Sequence, residues 1–276
     1  MKINHNISAL NAYRNLATNT TNTNKNLEKL SSGLRINKAS DDAAGLAISE
    51  KMRSQIRGLN MAERNALDGV SLIQTAEGSL SSVHEMLQRM RELAVQSANG
   101  TFEDQDREAI QEEFNQLSQE IDRVSVNTEF NELPLLNGSK GGNGRLLELD
   151  FHIGANEGQT ITLEIQKMSA EELGIDSLNV QSSDAAATAI SKIDEAIAKV
   201  SAERSNLGAV QNRLEHTITN LQTMSENLTS AESRIRDVDM ALEMTEFTKN
   251  TILNQAAQAM LAQANQLPQG VLQLLK

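Results

Sequence analysis

Cysteine is absent from this 276-residue chain, so neither a disulfide nor a thiolate metal site is open to it. Tryptophan is absent too, and one Tyr and five Phe supply all the aromatics, 2% of the sequence. Large rings usually anchor compact cores, so burial falls to Leu, Ile, Val, Ala and Met. Proline is scarce: Pro134 and Pro268 are the only two, which leaves long helices almost uninterrupted. No apolar run approaches the roughly 20 residues of a membrane span. The stretch Met1–Ile7 lacks the continuous apolar segment of a cleaved secretory signal. Basic clusters are missing as well. The net charge is −12, which argues against nucleic acid as a partner and fits a soluble subunit that resists clumping before assembly.

The chemistry of an active site is also wanting. His5, His84, His152 and His216 are scattered and form no i, i+4 pair. Gly141-Gly142-Asn143-Gly144 lacks the Lys-Ser/Thr of a phosphate loop and reads as a flexible tip. Acidic pairs such as Glu112-Glu113 and Asp41-Asp42 read as solvated faces or helix caps. The expectation is a chain that is not an enzyme, with no cofactor and no metal.

What is present is helical periodicity. At the C-terminus, Leu253, Ala257, Met260, Ala264, Leu267, Val271 and Leu274 recur at alternating spacings of four and three, the rhythm of a helix packing along another. Chain ends are usually polar and frayed, so an apolar seam running to the last residues predicts a partner. The other end carries Ile3, Ile7 and Leu10, then Leu16, Leu27, Leu30 and Leu34. There the seam shifts phase after Leu10, and Thr20 and Thr23 stand where apolar residues are wanted. Such a helix is marginal alone and orders when packed. Sticky ends flanking a charged middle read as a building block that self-associates.

Between the ends, Gly33, Asn37, Ser40 and Gly45 predict a connector over 35–58, with Asp41 or Asp42 capping a short helix near Ala43. A long helix follows from about Arg57 to Gln96, with Leu72, Ala76, Leu80, Val83, Leu87, Met90 and Ala94 as its seam and Asn99-Gly100 as its stop. A third helix, Glu103 to Ser125, aligns Ile110, Phe114, Leu117, Ile121 and Val124. Leu147, Leu149, Phe151 and Ile153, then Ile161, Leu163 and Ile165, alternate with period two and predict a β-hairpin. The longest helix, Ala185 to Ile235, is roughly 75 Å long at 1.5 Å per residue. Its frame runs through Ile190, Ile193, Ile197, Val200, Leu207, Leu214, Ile218, Leu221, Leu228 and Ile235, and sets Arg204, Gln211, Ser225 and Glu232 in the seam. A last helix starts near Ala241; Pro268 bends it or ends its ladder locally, since the Ala264 carbonyl loses its donor. The fold class is therefore mainly α: a long helical coiled-coil rod with a small β-hairpin insertion and paired N- and C-terminal helices. The expected domains are a discontinuous terminal-helix domain (1–42 and 236–276), a discontinuous helical rod (43–137 and 185–235) and a hairpin insertion (138–184).

Two strings resemble bacterial flagellin closely. One is Leu30-Ser31-Ser32-Gly33-Leu34-Arg35-Ile36-Asn37 with Asp41-Asp42-Ala43-Ala44-Gly45-Leu46-Ala47-Ile48. The other runs from Ala231-Glu232-Ser233-Arg234-Ile235-Arg236-Asp237 through Gln263-Ala264-Asn265-Gln266 to Val271-Leu272-Gln273-Leu274-Leu275. The resemblance covers about residues 1–137 and 190–276. It implies a short flagellin without large outer domains: a structural subunit that polymerises into the extracellular flagellar filament, with its two terminal helices paired as an inner tube. It also implies type III export of the unfolded chain and assembly at the tip under a filament cap. An export chaperone would hold 241–276, and hook-associated junction proteins would be neighbours. Gln88-Arg89-Met90-Arg91-Glu92-Leu93-Ala94-Val95-Gln96 is similar to the stretch recognised by the animal Toll-like flagellin receptor. Arg89 and Leu93 match its main contacts and Glu113 one on the next helix, while Met90 departs from the usual β-branched residue. That face would be buried in the filament and open on monomers. A hook–filament junction adaptor is the alternative; a cytoplasmic coiled-coil signalling rod is disfavoured by the β-rich middle.

Overall fold

The structure, a computed structural model, describes residues 6–138 and 146–274, with side chains as far as Gln266. Its elements in chain order are α1 (Ile7–Ser32), α2 (Ala43–Ala98), α3 (Asp104–Asn127), β1 (Glu129–Phe130), β2 (Leu133–Pro134), β3 (Leu146–His152), β4 (Thr160–Gln166), α4 (Ala170–Leu173), α5 (Ser183–Arg236) and α6 (Met240–Leu274). They divide into two compact units, Met1–Gln55 with Glu226–Lys276, and Ile56–Ser225.

In the first unit α1 begins at Asn6, whose Oδ1 accepts from the Ala9 N–H at 3.1 Å. The Thr tract is helical, and Thr18, Thr20, Thr21 and Thr23 each donate a hydroxyl to the carbonyl four residues back, so these hydroxyls are satisfied within the helix. Gly33 ends the helix at φ 71, the left-handed cap that a Cβ disfavours, and its N–H returns to the Lys29 carbonyl. Leu34 then bridges Asp237 in antiparallel fashion, with the Arg35 N–H donating to the Arg236 carbonyl at 2.6 Å and Val238 N–H to Gly33 at 3.1 Å. Asp41 and Asp42 divide the work of the loop. Asp41 accepts from the N–H groups of Asn37 and Lys38, which hold its carboxyl below the usual carboxylate range. Asp42 accepts from the Gly45 N–H at 2.9 Å and caps α2.

The expected connector over 35–58 is shorter than its glycines suggest, because α2 runs unbroken from Ala43 to Ala98. Gly45 lies in the capped first turn, where a Cβ would stand 2.4 Å from the Asp42 carboxylate and 2.8 Å from Ile36. Gly58 is glycine because Ala155 approaches to within 3.0 Å of where a Cβ would sit. Both glycines serve close approach rather than a break in the helix.

The second unit holds one hydrophobic cluster. All seven seam residues of α2 from Leu72 to Ala94 are buried in it, joined by Ile110, Phe114 and Ile121 of α3 and by Leu147, Leu163 and Ile165 on one face of the hairpin. β3 and β4 pair antiparallel in the register Leu147↔Ile165, Leu149↔Leu163, Phe151↔Ile161. A second, unforeseen strand pair, β1 with β2, turns on Asn131 and Glu132 at positive φ and leads into the fully buried Leu135 and Leu136. Arg107 is buried and closes the C-terminal end of α2 by donating to the carbonyls of Ser97, Asn99 and Phe102.

The seam of α5 keeps Ile193, Val200, Leu207, Leu214 and Leu221 of the expected frame, while its alternate positions lie one residue earlier, at Ala189, Ala196, Glu203 and Val210 in place of Ile190, Ile197, Arg204 and Gln211. Its buried positions are Ala186, Ala189, Ile193, Ala196, Val200, Glu203, Leu207, Val210, Leu214 and Leu221. Alanines let the backbone approach closely, while Ile190 and Ile197 flank the core and Arg204 sits at its rim, 3.5 Å from Glu77. The consequence is a buried carboxylate. Glu203 accepts from the Gln166 N–H at 3.2 Å, yet burial pushes its carboxyl up, and Glu164 adds repulsion. The folded state therefore holds the Glu203 proton more tightly than the unfolded chain does. That contribution is favourable below the ordinary carboxylate range and is lost as pH rises through the raised value. Glu203→Gln keeps the acceptor oxygen and removes the charge. It is expected to raise the melting temperature of this unit by a few degrees at neutral pH, with no gain below the carboxylate range, in thermal denaturation followed across pH.

Candidate functional site

Helices α1 and α6 pair antiparallel within the first unit. On α1 the least exposed positions follow a heptad frame, Ala9, Ala12, Leu16, Asn19, Thr23, Asn26 and Leu30. On α6 they are Glu243, Phe247, Asn250, Asn254, Ala257, Leu261 and Ala264. Small and polar side chains fill most of this seam. Asn26 is the one buried residue of α1. In the amide orientation that satisfies both of its ends, its Oδ1 accepts from Asn250 Nδ2 and the Phe247 N–H, each at 3.2 Å, and its Nδ2 donates to Glu243 and to the Asn22 carbonyl. Asn254 donates to Thr23 Oγ1 at 2.8 Å, and Lys29 lies 3.9 Å from Glu243.

The last contact involves Pro268. The helix continues through it to Leu274 rather than ending there. Proline has no N–H to offer the Ala264 carbonyl, and Asn6 Nδ2 donates to that carbonyl instead, at 2.8 Å. One asparagine thus caps α1 and completes the ladder of α6.

A seam built this way leaves the large apolar residues outside it. Ile7, Leu10 and Leu27 are 65%, 64% and 54% exposed, and Leu253 and Met260 are 41% and 64% exposed. Tyr13, Leu242, Met244 and Ile252 are exposed beside them. Of the other expected assembly residues, Leu30, Leu34 and Ala257 are half-buried and Ala264 is buried. Ile3 lies outside the described residues, and Leu267, Val271 and Leu274 lie beyond the described side chains. A groove of about 380 Å³ runs along the pair, with Asn11, Ala12 and Asn15 on one wall and Leu253, Ala257 and Met260 on the other. Isolated exposed apolar side chains are ordinary. Here they line two paired helices, which marks an interaction surface.

The second expected site divides. Arg89 donates to Glu113 at 2.9 Å and to Glu92 at 3.2 Å, all exposed, and Glu113 holds the guanidinium above its usual range. Gln88 is exposed one residue away and shares a hydrogen bond with His84. Leu93 does not belong to that surface. It is 2% exposed, inside the hydrophobic cluster, as is Met90.

Asn26, Asn250 and Asn254 were missed by apolar periodicity, although Asn250 and Asn254 continue with Ala257, Leu261 and Ala264 in the same four-three rhythm. Among the described residues no group of His, Cys, Asp and Glu is placed to hold a metal. No helix among them is long and apolar enough to cross a membrane.

Residues 3–141 match the family profile of the bacterial flagellin N-terminal helical region, and residues 190–275 that of the C-terminal helical region. A flagellin of Halalkalibacterium halodurans is 57% identical over 278 residues, covering all of both chains. A flagellin of Bacillus subtilis is 55% identical over 304 residues, again covering all of both. A solved structure described as a flagellar hook-associated protein of Vibrio parahaemolyticus aligns at TM-score 0.58 and 17% identity, covering 71% of this chain and 100% of that one; it bears on the fold alone.

Proposed function

This chain belongs to the bacterial flagellin family, and on that premise we propose that the outward apolar faces of α1 and α6 are the surfaces through which identical subunits stack. The protein is a structural subunit of the flagellar filament. The observation that carries the stacking reading is the division of labour in the terminal pair. Small and polar residues close α1 on α6, while Ile7, Leu10, Leu27, Leu253 and Met260 are kept free. Contact between unlike faces of identical subunits does not close on itself and propagates as a helix. The remaining seam residues, Ile3, Leu30, Leu34, Ala257, Ala264, Leu267, Val271 and Leu274, belong to the same assembly segment. The division into a terminal-helix domain (1–42 and 236–276), a helical rod (43–137 and 185–235) and a hairpin insertion (138–184) follows from the same reading.

The pair buries few large side chains, and helices with so little apolar contact are marginal. Order in the ends is therefore coupled to assembly, which suits a chain exported unfolded through the type III apparatus. A chaperone would hold 241–276 beforehand, and the cap and hook-associated junction proteins would meet the subunit at its destination outside the cell. Hydrogen exchange tests the coupling. In dilute monomer the amides of α1 and α6 are expected to exchange freely, and in seeded filaments to be protected. Strong protection in the monomer, or failure of seeded subunits to assemble, overturns the reading. A second reading rests on Gln88, Arg89 and Glu113, an exposed charged surface that resembles the recognition stretch for the animal Toll-like flagellin receptor.

A further inference from the structure

Apolar contact between α1 and α6 is too sparse to explain why they meet in one alignment. Two long antiparallel helices with Ala, Leu and Asn on their facing heptads can slide by seven residues and still bring seam to seam. Sliding breaks the Leu34–Asp237 bridge with its Arg35–Arg236 and Val238–Gly33 hydrogen bonds at one end of the pair, and along the helices it changes the polar matching. In the observed alignment Asn26 meets Asn250 and Thr23 meets Asn254. Shifting α6 by one heptad in one direction sets Asn26 against Ala257 and Thr23 against Leu261. In the other direction it keeps Asn26 against Glu243 and Asn250 against Asn19 but sets Thr23 against Phe247 and Asn254 against Leu16. Either slip sets the Asn254 amide against a leucine, Leu30 or Leu16, in place of Thr23, and a polar group left without its partner costs more than the bond itself contributes. The Asn6–Ala264 contact adds an end stop. Pro268 leaves one particular carbonyl of α6 without its helical donor, and only the observed alignment brings Asn6 to it.

We propose that Asn26, Asn250, Asn254 and Thr23 carry the alignment of the terminal helix pair along its length, between the Leu34–Asp237 bridge at one end and Asn6 with Pro268 as the stop at the other. A buried polar residue at a seam position lowers pairing strength and fixes register. A subunit whose two ends pair only on assembly needs that trade. Its ends must choose one alignment while every neighbour offers the same two helices. The proposal rests on the assembly reading, since the pair is completed in the filament.

The native Lys29–Glu243 pair, 3.9 Å apart, reports the alignment. Filaments of the full chain are treated with a zero-length carbodiimide, and the cross-linked peptides are quantified in the monomer band of a denaturing gel. The Asn26→Leu/Asn250→Leu double variant is expected to lose at least two-thirds of the Lys29–Glu243 product. Yield equal to the parent in assembled filaments overturns the ladder. Should the double variant not pellet, the end stop decides on its own. Asn6→Asp keeps the cap of α1 but cannot donate to Ala264, and is expected to lower the temperature at which filaments dissociate. In a Pro268→Ala background, where residue 268 supplies its own N–H, the same substitution is expected to have little effect. An equal effect in both backgrounds overturns the proposal. Parent subunits that do not assemble on seeding would instead overturn the assembly reading, a result separate from either.

Discussion

Subunits carrying Leu10→Asp and Met260→Asp are expected to remain in the supernatant when seeded with parent filaments, while the melting of the second unit stays unchanged. Both side chains are 64% exposed in the free chain and stand outside the α1–α6 seam. A carboxylate at either position is therefore solvated in the monomer and costs it little. In a filament that covers these faces the same carboxylate loses water without gaining a partner, a penalty of several kcal/mol per charge in real proteins. Because about 1.4 kcal/mol is a tenfold change in an equilibrium constant, even about 3 kcal/mol raises the critical concentration roughly a hundredfold. Sedimentation after seeding measures it. Assembly at the parent's critical concentration would mean that these faces are not covered, and the stacking surface would have to be sought elsewhere.

The architecture was legible in the sequence to the degree that burial follows large apolar side chains. The seams of α2 and α3 were placed residue by residue, because Leu, Ile, Met and Phe occupy them. The hairpin was legible for the same reason in period two, and its register joins the residues the alternation predicted. Legibility failed where small residues do the packing. In α5 the counted Ile190 and Ile197 flank the core, while Ala189 and Ala196 enter it. It failed again at glycine. Gly45 suggested a broken connector, yet it is needed for Asp42 and Ile36 to come close inside a continuous helix, as Gly58 is for Ala155. The terminal pair is the instructive case. Apolar spacing on α6 found Ala257 and Ala264 of the pairing face and joined them to Leu253 and Met260, which face outward. Most of the pairing face is written in Asn, Thr and Ala, which an apolar template weights little. Pro268 was rightly seen to strip the Ala264 carbonyl of its donor; that Asn6, 258 residues away, replaces it is a tertiary fact.

Leu93→Ala is expected to destabilise the second unit strongly, and that changes how the recognition surface must be tested. Leu93 is 2% exposed in a continuous cluster, so truncation removes buried methyl groups and leaves a cavity, at a cost of about 2–5 kcal/mol. In a domain of this size each kcal/mol lowers the melting temperature by about 2–4 °C, which makes the loss plain in thermal denaturation. A melting temperature unchanged from the parent would mean that Leu93 is not packed as described. Weak receptor binding by Leu93→Ala monomers would then report altered packing as readily as a lost contact. Arg89→Ala separates the two. Its guanidinium is half-exposed and paired with two exposed carboxylates, an arrangement that contributes little to folding. The variant is expected to melt with the parent yet bind the Toll-like flagellin receptor roughly tenfold more weakly, since arginine side chains are frequent anchors of protein interfaces. Unchanged affinity of the Arg89→Ala monomer would remove the recognition reading and leave Gln88, Arg89 and Glu113 as an ordinary charged surface.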